Sequence, residues 1–306
     1  LLPIRAEGYD WTQYLPGNTS ETLWTEYVPL EKLPKVINPA SGFVQNCNAS
    51  PFKTTTGMDN PREDAYSKTL GIETHLNNRT MRALQLFGQD DSISKEEFYT
   101  YKFDMEYAKD SWVRECIRMI LNSPPSDDAV VNEALAALRD WDFKTDPHNR
   151  NAAIGVLTIE PYLRTRLQGL DEADLLMRFV QVAYALKEKY GRIDVPWAQV
   201  NRLRRGNLEL GLGGGPDILH ANWGGELNGG CIVREGGDSY ILLAEWDQEG
   251  EVSSWSIHQY GSATQNSESP HYADQAQLFV HRLLKPVWFD EADIRAHLER
   301  EYRPGE

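Results

Sequence analysis

The chain has 306 residues, about two domains of ordinary size or one large one, and its 31 Lys and Arg against 46 Asp and Glu give a formal charge of −15. With 41% hydrophobic residues and nine Trp it can build a sizeable core, which excludes intrinsic disorder, a collagen repeat and a disulfide-built mini-protein. So acidic a chain offers no electrostatic footprint for DNA, RNA or anionic lipid, and neither nucleic acid nor a membrane is expected as a partner.

The chain opens on Leu1, without Met or a basic-then-apolar leader, and we read this as a start created by processing, cleavage or cloning. Residues 1–60 are rich in Pro, Gly, Asn, Ser and Thr, with short apolar patches such as WTEYVPL and SGFVQ. They read as loops joining short strands, so residues 1–93 are expected to be β-rich. Ser94-Lys-Glu-Glu97 has the form of a capping box and opens a long helical stretch that Pro124-Pro125 ends. Asp127 or Asp128 then caps a helix with apolar Val131, Leu135 and Leu138 at helical spacing. The run NAAIGVLTIEPYLR predicts a helix interrupted by Pro161. DEADLLMRFVQVAYALKEKYG has acids first, Lys last and Gly191 just beyond, the asymmetry of a complete helix. Pro196 is expected to begin a further helix, PWAQVNRLRRG, whose closing Arg202, Arg204 and Arg205 would complement its dipole.

After Gly206 the period changes to two. LELGL, ILHANW, CIVREG, SYILLAEW and VSSWSIHQY are runs of β-formers separated by turn residues. The segments ADQAQLFVHRLLK and DEADIRAHLEREY predict closing helices. The expected order is a β-rich segment (1–93), a helical block (94–206), and strands with C-terminal helices (207–306). Such segregation indicates α+β, not a doubly wound α/β sheet.

Common catalytic signatures fail on context. Gly211-Leu-Gly-Gly-Gly215-Pro216 puts Pro216 where a dinucleotide loop needs its third glycine, and a strand follows. Ser92-Ile-Ser-Lys95 matches the S-x-x-K of serine β-lactamases without the partner motifs. The histidines form no HExxH, G-x-S-x-G is absent, and Cys47, Cys116 and Cys231 make no C-x-x-C. No apolar run reaches the roughly 20 residues that span a bilayer.

One polar segment remains, Asn38-Pro-Ala-Ser-Gly-Phe-Val-Gln-Asn46-Cys-Asn48-Ala-Ser-Pro51. Its plain reading is a strand end with Asx-turns. Its functional reading is that a side-chain amide on a strand end donates an N–H to a developing oxyanion without itself titrating. On a strand, Asn46 and Asn48 would share one face and Cys47 the other.

This segment resembles one in the β chain of the penicillin acylase (penicillin amidase) family, where an Asn in an N-x-N-x-S-P context completes an oxyanion hole. A second block, Tyr260-Gly-Ser-Ala-Thr-Gln-Asn-Ser-Glu-Ser-Pro-His-Tyr-Ala-Asp-Gln275, is similar to that family's C-terminal signature. LWTEYVPLEKLP before the first block and GGDSYILLAEWD before the second fit in the same order. The resemblance, from about residue 8 to 290, implies part of the four-layer αββα core of an N-terminal-nucleophile hydrolase, with 94–206 as a helical insertion.

Carried over residue by residue, the resemblance makes Asn48 the oxyanion donor and Arg79 a residue that helps position the catalytic groups, with Arg82 its competitor. It sets Asn46 and Cys47 beside the substrate, although Cys47 and Ala49 depart from the family's aromatic and polar residues there. Asp59 lies where calcium-binding members keep a ligand; no cofactor is required, and calcium through Asp59 is the one metal it admits. Nothing resembling the nucleophilic N-terminal serine precedes Asn48. The resemblance therefore implies that the first part of the β chain and the α chain are separate partners, and that this chain alone is inactive. It also implies hydrolysis of a small N-acyl amide, of the penicillin, acyl-homoserine-lactone or lipopeptide type, in a periplasmic or secreted protein. The alternative from another class is a non-catalytic α+β binding module.

Overall fold

The computed structural model describes residues 2–163, 170–228, 230–303 and 305. Contacts divide the chain into two compact units, Leu1–Tyr101 with Glu106–Glu115 and Asp217–Leu219, and Lys102–Met105 with Cys116–Pro216 and His220–Glu306.

In the first unit, the β-rich segment expected over residues 1–93 is not formed. The described residues there hold short 3-10 turns, an isolated antiparallel bridge between Pro3 and Tyr27, and one helix. The reason lies in Pro16, Pro29, Pro34, Pro39, Pro51 and Pro61; each removes a ladder donor and bends the chain away from sheet pairing. Helix α1 (Asn78–Gly88) is capped by Asn77, whose Oδ1 accepts the Thr80 N–H at 2.9 Å. Helix α2 (Lys95–Lys102) starts from the expected capping box. Glu97 N–H donates to Ser94 Oγ at 3.2 Å, and Ser94 N–H donates to Glu97 Oε2 at 2.8 Å. The helix read as continuous stops at Lys102 and resumes as α3 (Trp112–Leu121). In between, Phe103, Met105, Tyr107 and Ala108 are buried, and the Met105 carbonyl accepts both the N–H and the hydroxyl of Thr145. Those bonds to a distant residue replace the helical ladder.

In the second unit, α4 (Ala129–Arg139), α5 (Ala152–Ile159) and α6 (Glu172–Tyr190) pack on one another. Asp128 caps α4 by accepting from Val130 and Val131, and Asp171 caps α6, which ends at left-handed Gly191. Every residue of α5 is buried, as expected of a helix apolar all round. Helix α7 is a single turn (Trp197–Val200), and the rest of the expected helix is strand β1 (Asn201–Arg205). Arg202 and Arg204 therefore do not complement a helix dipole. They form a hairpin with β2 (Leu208–Gly211) and both donate to Glu209, at 3.1 and 2.6 Å.

Strands β3 (Asn222–Trp223), β4 (Leu227–Asn228), β5 (Cys231–Val233) and β6 (Gly236–Gly237) follow. They complete a four-stranded sheet, β2-β1-β5-β4, and a two-stranded one, β3-β6. The pair β7 (Tyr240–Trp246) and β8 (Val252–His258) is antiparallel along its whole length. Helix α8 (Ala276–Val280) is shorter than expected, because the chain turns at left-handed Arg282 and returns as β9 (Lys285–Val287) beside β8. Helix α9 (Glu291–Ala296) is capped by Asp290. Helices and mostly antiparallel strands occupy separate stretches of the chain, and the fold is α+β.

Candidate active site

Helix α1 organises the first unit's polar cluster from its first turn. With its Oδ1 spent on the cap, Asn77 donates from Nδ2 to the Cys47 carbonyl at 2.6 Å. This ties the 46–51 loop to the helix N-terminus. The loop is a turn, not a strand end: Asn46 Oδ1 accepts the Asn48 N–H at 2.9 Å, and Asn48 has φ +57°. Asn tolerates this left-handed conformation better than most residues. The expected alternation of Asn46 and Asn48 on one strand face is therefore absent, whereas the Asx-turn is present.

Arg79, two residues beyond the cap, places Nη1 and Nη2 each 3.3 Å from Asn48 Oδ1. A guanidinium has only donors, so the amide oxygen must face it and Nδ2 must face away. Asn48 is exposed, and its Nδ2 donates to no described residue. Arg79 Nε lies 3.6 Å from Asp217 Oδ1. Asp217 Oδ2 accepts the Asn78 N–H at 2.9 Å, its backbone carbonyl accepts Asn78 Nδ2 at 2.7 Å, and the Trp112 side chain also donates to its carboxylate. Asn78 is fully buried, and its Oδ1 accepts the Ala108 N–H at 2.8 Å. Burial pushes the Asp217 carboxyl above the usual range, against the opposing pull of the Asn78 N–H and the Arg79 charge.

The other sequence candidates lie elsewhere. Arg82 donates to Glu106 at 3.0 Å. Cys47 is half-buried and Asn46 exposed, both in the turn that carries Asn48. Exposed Asp59 accepts the Ala40 N–H through Oδ2 at 2.7 Å. Among the described residues no three His, Cys, Asp or Glu side chains assemble into a metal-binding group. A lone carboxylate with one oxygen occupied supplies only a small part of the about six to eight oxygens calcium takes, so a calcium ion at Asp59 would need its other ligands from beyond these carboxylates. Ser92 N–H donates to Asp90 Oδ1 at 3.0 Å in the turn before α2.

The second signature block is built around Arg205, whose guanidinium lies 3.8 Å from the Tyr272 ring and 4.9 Å from the Tyr260 ring. It also donates to the carbonyls of Ala263, Thr264 and Tyr272. His271 in this block meets Asp274 through Nδ1 at 2.9 Å and Glu299 through Nε2 at 2.6 Å, and the two carboxylates push its pKa up. An open concavity of about 930 Å³ in the first unit is lined by Phe52, Arg62, Tyr66, Lys68, Ile72 and Thr74, among others, and by neither Asn48 nor Arg79.

Reading the sequence missed Asn77, Asn78 and Asp217. The Asn77-Asn78 pair at the start of a helix carried a usable capping signal. Asp217, in a Gly-Pro-Asp turn far along the chain, carried none.

A family model described as penicillin amidase matches residues 1–296. Among solved structures, the chain is similar to a thermostable penicillin G acylase from Alcaligenes faecalis, with 16% sequence identity and a TM-score of 0.54. The match covers 99% of this chain and 63% of that one, so the chain spans less than two thirds of that neighbour's length. At this identity the likeness concerns the fold.

Proposed function

The chain belongs to the penicillin amidase family, and on that premise we propose that it is part of an amidohydrolase cleaving N-acyl amide bonds, with Asn48 as a donor to the oxyanion. The observation that carries this reading is the pair of Arg79 bonds to Asn48 Oδ1, which leaves the Asn48 N–H donors turned outward. Two residues that the family resemblance singled out separately are joined by a contact that the proposed chemistry requires. In the reaction, a serine at the N-terminus of the β chain, outside this chain, attacks the amide carbonyl while its own α-amino group takes the hydroxyl proton. Negative charge collects on the carbonyl oxygen, and Asn48 Nδ2–H stabilises it without changing its own protonation state. The amine leaves, and water hydrolyses the acyl-enzyme ester through a second tetrahedral oxyanion at the same place.

Arg79 acts behind Asn48. A cationic donor on the amide oxygen polarises the group and strengthens its N–H donors, and it also holds the amide in one orientation. Asn46 supports the turn, and Cys47 offers a small half-buried side chain where the acyl group would approach. Strands β7–β9 with α8 and α9 are this chain's share of the layered core. The α chain and the N-terminal part of the β chain are the proposed partners, in a periplasmic or secreted enzyme, and this chain without them is inactive. No helix of the described residues is long and apolar enough to cross a membrane.

Among substrate classes, the VQNCN form favours acyl-homoserine lactones and lipopeptides over phenylacetyl amides. A panel of N-acyl substrates of increasing chain length tests this, and action confined to phenylacetyl amides would refute it. The role of Asn48 is tested in the full-length protein. Asn48→Ala should lower kcat by roughly 10²–10³-fold and leave the protein folded, with only the small loss of stability expected of Ala at a left-handed position, whereas near-normal kcat rejects the assignment.

A further inference from the structure

We infer that Asp217 is a positioning residue for the oxyanion donor, acting through Arg79; this rests on the reading of Asn48 given above. The three side chains form a line: the Asp217 carboxylate faces the Nε edge of Arg79 at 3.6 Å, and the opposite edge of the guanidinium meets Asn48 Oδ1 twice at 3.3 Å. A neutral amide oxygen at that distance is a weak partner for a long side chain with many rotamers to lose. The carboxylate supplies what the amide cannot, a charged anchor on the far edge that sets the direction of the planar fork.

Asp217 can serve as an anchor because it is itself fixed. Its carboxylate accepts the Asn78 N–H at the start of the eleven-residue helix α1, and its carbonyl accepts the Asn78 side chain. Asn78, fully buried, is locked in turn by the Ala108 N–H. A negative charge is favoured at a helix N-terminus, and Arg79 belongs to that same first turn. Anchor and guanidinium therefore ride on one rigid element. The partly buried carboxylate is costly in charged form, and a residue that only closed a loop could be an amide. A carboxylate at this place makes sense if its charge acts on Arg79.

The variant Asp217→Asn separates the two roles, since its amide oxygen still accepts the Asn78 N–H while the charge facing Arg79 is gone. In the full-length protein, kcat should fall by up to about 10²-fold, the loss that follows a small misplacement of a catalytic group, with KM and melting temperature nearly unchanged. Arg79→Gln and the double variant Arg79→Gln/Asp217→Asn should lose turnover to the same extent, because residues acting as one unit are not additive. Wild-type kcat in Asp217→Asn, or losses that multiply in the double variant, would overturn the inference. Should Asp217→Asn not fold, Asp217→Ser also removes the charge facing Arg79 and keeps a small oxygen acceptor for the Asn78 N–H. Reduced kcat at constant KM then supports the inference, and unchanged kcat overturns it. Asn48→Ala measured alongside tells the two failures apart: turnover there removes the underlying reading, whereas an inactive Asn48→Ala beside a fully active Asp217→Asn removes this inference alone.

Discussion

Arg234 is a long cation with no exposed side-chain surface, and its Nη1 meets Glu160 Oε1 and Oε2 at 2.6 and 2.8 Å. It also donates to Asn201 and to the Gly224 carbonyl, while Glu160 accepts the Gly224 N–H. Replacing such a pair by apolar groups can be neutral, but removing one partner strands a charge in a poorly solvated place. Glu160→Ala should therefore cost about 3–5 kcal/mol, read as a lower melting temperature or denaturation midpoint. A loss comparable to that of a surface pair, about 1 kcal/mol or less, would mean that Arg234 finds other solvation. Nothing in the local sequence of either residue announces this pair, for the same reason that Asp217 went unnoticed: its partner is remote along the chain. Asn48 was legible only as a type of residue in a familiar order. Its Asx-turn reading holds, with the turn built by Asn46, and Arg79 on the amide oxygen leaves the Asn48 amide nitrogen turned outward, as the proposed role needs.

At the scale of elements, what was legible was local. The Ser94 to Glu97 capping box, the Asp128 cap and the Asp171 to Gly191 helix each depend on bonds between residues a few positions apart, and each forms as read. What failed was decided elsewhere. Arg202 and Arg204 have good helix propensity but meet Glu209 across a hairpin, and tertiary pairing overrides a weak intrinsic preference. Gly155 shows two local and distant effects in direct competition. It sits in the middle of α5, where alanine would ordinarily gain about 1 kcal/mol. A Cβ there would lie 2.3 Å from Trp141 Cζ3, and Trp141 is held by its own bond to the Lys144 carbonyl and by stacking on Phe143. Overpacking against a ring that cannot yield costs about 1–3 kcal/mol. Gly155→Ala should therefore destabilise despite its better propensity, and a raised melting temperature would show that Trp141 repacks.

Across the whole chain, burial is uneven. Before α1, Phe52 is the one large apolar side chain buried among the described residues, whereas Tyr14, Leu23, Leu30, Ile37 and Met58 are exposed. From α4 to β1 the reverse holds, with Leu135, Leu138, Ile154, Leu157, Phe179, Leu186, Trp197 and Leu203 all buried. Local opening free energy follows buried apolar contact, and segments with little of it open at small cost. Limited proteolysis of the chain expressed alone should therefore cut first within residues 2–77, before any cut within helices α4, α5 and α6 or strand β1, the fragments being identified by mass. The same digestion on the full-length protein tests the proposed partners. Exposed Tyr, Leu and Ile side chains that serve as docking surface become covered, so cleavage within 2–77 should slow markedly relative to the chain alone. Equal cleavage rates in the two preparations would mean that the other segments do not cover this surface. First cuts within α4–α6 would contradict the burial argument itself.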